Sequence, residues 1–188
     1  MMFCRNLAMA LVAACCLSPA LRAAEIEGVE FADRYEWNDT PLILNGVGLL
    51  RYRVLIKGYV AALYLGERVE PDRVLDAVPR RLEIEYFWSI SADAFSEAMR
   101  EGIARNVDAQ TFERLREPMR RLGALYEDVE PGDRYALTYI PGIGTELALN
   151  GEPRGVVEGD QFSAALFSIW VGERALDASL RQSLLASI

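Results

Sequence analysis

Three cations stand in an otherwise apolar run, GVGLLRYRVLIKGYVAALYL at residues 46–65: Arg51, Arg53 and Lys57, the last being the only lysine in the chain. The run lacks proline and is rich in β-branched and aromatic residues, the composition of buried strand. Strand side chains alternate between faces. From residue 51 the even positions Tyr52, Val54, Ile56, Gly58, Val60, Ala62 and Tyr64 are almost wholly apolar. The odd positions mix Arg51, Arg53 and Lys57 with Leu55, Tyr59, Ala61 and Leu63. A cation on such a strand either snorkels to water at the rim or is placed to meet an anion. In the second case the planar fork of Arg51 suits a carboxylate, which it can hold through two parallel hydrogen bonds. A nearby tyrosine hydroxyl would add another donor. Lys57 and Tyr64 are further candidates of lower rank.

Other chemistry is poorly supplied. The chain contains no histidine, which removes Ser-His-Asp and Cys-His machinery, histidine general bases and nearly all zinc sites. Glu83 and Glu85 are two apart on the polar face of one strand, and Asp128 and Glu130 sit in a turn. Neither pair has a visible reason to be desolvated, so neither reads as tuned acid–base machinery. The glycine-spaced pieces lack a Lys-Ser/Thr continuation, so a phosphate loop is unsupported. No metal, no cofactor and no catalytic residue is called for.

At 188 residues, 52% hydrophobic and 26% charged, the chain suits one ordinary folded domain and not a disordered one. Its net charge of -8 disfavours nucleic acid as a partner. Residues 1–24 read as a secretory signal: Arg5 supplies the positive start, residues 7–17 a short apolar run, and small residues follow to Ala23 and Ala24. That run is too short to span a bilayer, and no later segment approaches the ~20 apolar residues of a span. All three cysteines, Cys4, Cys15 and Cys16, lie in this leader, so the mature chain, residues 25–188, would have neither disulfide nor thiol chemistry. The protein is therefore expected in the periplasm or outside the cell. The alternative is a lipoprotein retained through Cys15, since Val12-Ala13-Ala14-Cys15 resembles a relaxed lipoprotein signal.

The elements that must position the cations follow from pattern. Residues 29–37 suggest a strand pair or an edge strand, residues 38–41 a turn, and residues 42–44 a short strand, with Asn45, Gly46 and Gly48 a flexible lead into the long run. Pro71 opens a short helix expected to end at Pro79. Residues 81–88 alternate cleanly, with Leu82, Ile84, Tyr86 and Trp88 on one face and Arg81, Glu83 and Glu85 on the other, as in a half-exposed antiparallel strand. Ser91 is placed to cap a helix whose apolar stripe is Phe95, Ala98, Met99, Gly102 and Ile103. Asp108 caps another, which Pro118 should kink or restart. Its arginines, Arg114, Arg116, Arg120 and Arg121, interleave with Glu113 and Glu117 as on a solvated face. Strands follow at 134–140, 145–149 and 154–157, joined by Pro141-Gly142-Ile143-Gly144 and by the hairpin signal Asn150-Gly151. Two helices, 162–171 and 177–186, close the chain. This grouping predicts an α+β domain with a mostly antiparallel sheet.

The runs NGVGLLRYRVLIKGYVAALYL, YIPGIGTELALNG and FSAALFSIWVGE resemble the exported bacterial branch of the chalcone isomerase-like family, and the likeness covers nearly all of the mature chain. It implies an antiparallel sheet with helices packed on one face, an open-faced β-sandwich. Some members of the family cyclise chalcones, whereas others bind fatty acids. The resemblance puts the family's ligand-orienting arginine on Arg51, and its enzymes' threonine on Tyr59, where the fatty-acid-binding branch has a tyrosine. The catalytic tyrosine falls on Phe95 and the following asparagine on Gly102. A phenylalanine has no hydroxyl and a glycine no amide, so chalcone cyclisation is not expected. The implied function is a carrier or sensor of a small apolar carboxylic acid such as a fatty acid. Arg51 and Tyr59 would anchor it and Phe95 and Met99 would wall the cavity. An isomerase or lyase of unknown substrate, or an envelope interaction protein, are the alternatives. One geometric condition attaches: eight residues of straight strand span about 26 Å, so Arg51 and Tyr59 can share a carboxylate only if the chain bends between them. Gly58 is a candidate bulge, whereas residues 53–56 carry no good turn residue.

Overall fold

A computed structural model describes residues 24–52 and 56–186. The signal peptide at 1–24, apart from Ala24, and the lipidation alternative at Cys15 concern residues outside this range, as does Arg53. The protein is α+β. Seven strands form one sheet in chain order, every neighbour antiparallel: β3 (Arg34–Trp37), β4 (Thr40–Tyr52), β5 (Ile56–Leu65), β6 (Arg80–Tyr86), β7 (Arg134–Ile140), β8 (Gly144–Leu149) and β9 (Glu152–Val157). A separate hairpin precedes it, β1 (Ala24–Ile26) with β2 (Val29–Phe31). Helices α1 (Ala92–Asn106), α2 (Ala109–Arg114) and α3 (Arg116–Gly123) are inserted between β6 and β7, and α4 (Asp160–Val171) and α5 (Ala178–Leu185) follow β9.

The long run at 46–65 is two strands, not one. Tyr52 pairs antiparallel with Ile56, so the run reverses between these two residues. No turn residue announces this reversal; the antiparallel pairing of two apolar strands imposes it. The second strand does bulge at Gly58, where pairing steps from Leu50–Tyr59 to Arg51–Lys57. The expected loop at residues 45–48 is strand instead, with Asn45 in a bulge between Leu44 and Gly46. Its side-chain amide donates to the Leu184 carbonyl at 2.7 Å. Gly46 and Gly48 are there for α5. A Cβ on Gly46 would fall on the Ser183 carbonyl, and one on Gly48 would stand 2.7 Å from Leu180 Cδ1.

The sheet carries two apolar clusters, one on each face. The larger one joins alternate sheet residues such as Ala61, Leu63, Leu82, Ile84 and Leu147 to the helices. The smaller one lies under the β1–β2 hairpin, where Val29 and Phe31 meet Leu42, Val60, Ala62 and Tyr64. This second layer corrects the reading of β6 as half exposed. Arg81 and Glu83 are buried, and they pair with one another at 2.8 Å. Arg134 joins Glu83 at 3.2 Å and Glu85 at 2.7 Å, while Tyr35 and Phe31 stack on the guanidinium groups of Arg81 and Arg134. The charges are tolerated because each is paired and covered by aromatic rings. Trp88, expected on the apolar face, is exposed because the strand ends at Tyr86; its indole donates to the Lys57 carbonyl.

The helix expected after Pro71 is only a single 3-10 turn, Pro71–Arg73. The carbonyls of Val74, Asp76 and Val78 are taken by the fully buried Arg80 guanidinium, which leaves no helical ladder for them to form. The helix signals elsewhere agree with the structure. Ser91, Asp108 and Asp177 each accept from the backbone N–H three residues on. The chain breaks at Leu115 and restarts ahead of Pro118. Arg116 and Arg120 pair with Glu113 and Glu117 on a solvated face. Asn150 and Gly151 both take positive φ, 53° and 84°, as the tight turn between β8 and β9 requires.

Candidate functional site

A cavity of about 340 Å³ lies between the helix-covered face of the sheet and helices α1 and α4. Leu82 and Ile84 of β6, Leu137 of β7 and Leu147 of β8 form its floor. Phe95, Ala98 and Met99 of α1, with Ile169 and Trp170 of α4, form its roof. The regular patterns of both layers make this possible. Alternation delivers every second strand residue to the floor, and the helix spacing i, i+3, i+4 delivers Phe95, Ala98 and Met99 to the roof.

One end is built of aromatic rings. Tyr59 and Tyr86, opposite one another on paired strands, have ring centroids 5.8 Å apart. Phe95 meets Tyr86 at 5.1 Å, Tyr135 at 5.2 Å and Tyr126 at 5.3 Å. The hydroxyls differ in what they have left to give. Tyr135 accepts from the Glu127 N–H at 2.7 Å and donates to the Glu127 carbonyl at 2.9 Å. Tyr59 accepts from Trp170 Nε1 at 2.9 Å, which leaves its own proton free to donate. Among the described residues the Tyr86 and Tyr126 hydroxyls have no hydrogen-bond partner. Burial pushes the Tyr59, Tyr86 and Tyr126 hydroxyls far above their ordinary pKa, and the Trp170 N–H only partly offsets this at Tyr59. All three are therefore neutral donors at physiological pH and do not serve as bases. The charged residues in the lining are Glu101 and Arg105, both on α1. The arrangement can hold an apolar body and hydrogen-bond a polar end. Among the described residues no cluster of potential ligands could bind a metal ion.

Of the residues named from sequence, Tyr59, Phe95 and Met99 come together around this cavity. Arg51 does not join them, and its expected pairing with Tyr59 is not formed. The hairpin removes the problem of distance but creates one of direction. Leu50 stands opposite Tyr59 and packs with the helix-side cluster. Arg51 follows Leu49 on the other face, where its Nη2 lies 3.3 Å from Glu27 Oε1 at the tip of the β1–β2 hairpin. Lys57 pairs with the same carboxylate, which is held below the usual range chiefly by that hydrogen bond. Tyr64 is also on that face, buried near Glu83. Gly102 has a packing role: a Cβ there would stand 2.7 Å from Ile169 Cγ1.

Trp170, Tyr86, Tyr126, Tyr135 and Arg105 are not among the site residues expected from sequence. Tyr86 was placed on the apolar face of its strand, and Trp170 lies in the run FSAALFSIWVGE. No local signal says that rings from β5, β6, β7 and α1 converge, because register between strands is not written in any one of them.

Comparison with known proteins agrees with this architecture. The family model described as chalcone isomerase-like matches residues 23–186. The chain belongs to the chalcone isomerase-like family. The crystal structure of the Arabidopsis thaliana fatty-acid binding protein AtFAP1 superimposes with a TM-score of 0.71 at 15% identity, covering 87% of this chain and 96% of that one. At that identity the likeness is one of fold. No curated protein matches the chain.

Proposed function

We propose that this chalcone isomerase-like protein is a carrier or sensor of a small apolar carboxylic acid such as a fatty acid, without chalcone-cyclising activity. The observation that carries the reading is the cavity itself. It is apolar on its floor and roof and offers neutral hydroxyls in place of a base. Its volume falls at the lower end of the ~300–1,000 Å³ of small-molecule sites. Tyr59, Phe95 and Met99 contact the ligand: Tyr59 and Phe95 as ring walls, Met99 as an adaptable filler. Phenylalanine at 95 and glycine at 102 supply neither a hydroxyl nor an amide to a reacting phenolate, which speaks against cyclisation. The similarity in fold to a fatty-acid binding protein supports the same choice of ligand. Arg51 can serve as the anchor only if it leaves Glu27 and crosses to the other face, so the reading does not depend on it.

Native mass spectrometry of the purified protein tests this, before and after incubation with a panel of saturated and unsaturated fatty acids. The expected result is a retained acid at one per chain, weakened when Ala98→Trp narrows the roof. A protein that stays bare with every acid in the panel overturns the proposal. The reading also includes export, with residues 1–24 removed as a leader and the domain at 25–188 delivered to the periplasm or beyond. Arg5, the apolar run at 7–17 and the small residues after it support this. Cell fractionation with N-terminal sequencing tests it: a start near residue 25 is expected, whereas a lipid-modified Cys15 or an intact cytoplasmic chain overturns it.

A further inference from the structure

The cavity has one charged end, and it lies at the surface. Glu101 and Arg105 are one helical turn apart near the C-terminus of α1, both exposed and both in the lining. Glutamate four residues before arginine is the favoured spacing for an ion pair. Yet among the described residues neither side chain takes part in one. The Arg105 carbonyl accepts from Arg174 Nη1 at 3.2 Å. Among the described residues no partner takes the guanidinium donors, and the side chain, exposed yet in the lining, stands at the cavity's rim.

The rim is firmly built. Asn106 donates to the Gly102 carbonyl at 3.0 Å and to the Arg174 carbonyl at 3.2 Å, and accepts from the Arg174 N–H at 3.3 Å. The Leu176 N–H donates to the Ile169 carbonyl at 2.7 Å. The Asn106 bonds tie the segment between α4 and α5 to the end of α1, and Leu176 of that segment, exposed, also lines the cavity. Away from Arg105 the lining offers neutral hydroxyls and an indole N–H already given to Tyr59, and Arg105 is its one cation among the described residues. A carboxylate buried among the rings of Tyr86, Phe95 and Tyr135 would lose its water without gaining a counter-charge, which neutral hydroxyls cannot offset.

We infer that the acid binds tail first, with its acyl chain against Tyr86, Phe95 and Tyr135 and its carboxylate at the rim on Arg105. This rests on the carrier reading and specifies its geometry. Glu101, one turn away, then acts as a filter on charge. It tolerates one negative charge held by Arg105 and disfavours a second, so the ligand class is monocarboxylic acids over dicarboxylic acids of the same length.

Affinities of dodecanoic acid, dodecanol and dodecanedioic acid for the purified protein and for Arg105→Gln, Glu101→Gln and Tyr59→Phe test this. Wild type should prefer the acid over the alcohol by about twofold to fivefold, the range of a charged pair at the solvent boundary. Arg105→Gln should erase that preference while leaving dodecanol affinity unchanged, which also shows that the variant folds. Glu101→Gln should tighten both acids, the diacid more. Equal binding of acid and alcohol by wild type overturns the rim anchor and leaves the carrier reading standing. An acid preference that survives Arg105→Gln but is lost in Tyr59→Phe overturns it in favour of a buried head group. If neither acid nor alcohol binds, both readings fail together.

Discussion

Gly102 offers the sharpest test of how the roof of the cavity is built. In an exposed helix interior, replacing glycine by alanine stabilises by about 1 kcal/mol. Here the new methyl would stand 2.7 Å from Ile169 Cγ1, 2.9 Å from Cδ1 and 3.1 Å from Cγ2. Cγ1 and Cγ2 are both bonded to Cβ, so turning χ2 moves neither, and a β-branched residue inside a helix has essentially one χ1. Ile169 is 6% exposed and has nowhere to retreat without parting α1 from α4. Such overpacking costs about 1–3 kcal/mol. Gly102→Ala should therefore lose about 1 kcal/mol net instead of gaining about 1. In an Ile169→Ala background the obstruction is gone, and the same change should stabilise. Urea unfolding of the four proteins, with m held common, gives the coupling directly, expected near 2 kcal/mol. Gly102→Ala stabilising both backgrounds equally would refute the close approach of α1 to α4. Because Ile169 lines the cavity, the single variant should also weaken acid binding.

Arg80→Ala should cost about 3–5 kcal/mol in denaturant unfolding, since it strands the carbonyls of Val74, Asp76 and Val78 and the Ser163 hydroxyl. Arg80→Lys should recover only part of this, because an ammonium lacks the planar fork and the stacking on Tyr139 and Phe167. Burial raises the pKa of Tyr59, Tyr64 and Tyr86 in the fold. The stability this brings is complete below the unfolded value near 10 and is lost as pH rises beyond it, by about 1.4 kcal/mol per pH unit per tyrosine. A cooperative alkaline unfolding with simultaneous appearance of tyrosinate absorbance is expected; gradual ionisation with the fold intact would count against it. Glu27 runs the other way, its pKa lowered by Lys57 and Arg51. Its hold on the β4–β5 tip is present above the ordinary glutamate range and lost as pH falls through the lowered value. Hydrogen exchange at the β1–β2 turn should quicken in acid and in Glu27→Gln, with the unfolding midpoint of that variant at neutral pH unchanged.

Much of the molecule is legible in the chain because it depends on neighbours in sequence. Helix caps at Ser91 and Asp108, the turn at Asn150-Gly151, the roof stripe from Phe95 to Ile103 and the α+β order all follow from local hydrogen bonding and from periods of two or 3.6 residues. The family motifs add Tyr59, Phe95 and Met99 as cavity residues. Tertiary structure decided the rest. Where the 46–65 run folds back sets which face each cation takes: Leu50 falls opposite Tyr59, so Arg51 meets Glu27 while Tyr59 turns to Trp170, and the Gly58 bulge brings Lys57 round to the face of Arg51. The β1–β2 hairpin turns a strand face that reads as solvated into a buried charge network. The aromatic end of the cavity and Arg105 at its rim exist only once β5, β6, β7, α1 and α4 are superposed. Alternation states that a residue has a face, but only strand register and the layers packed above and below state what that face meets.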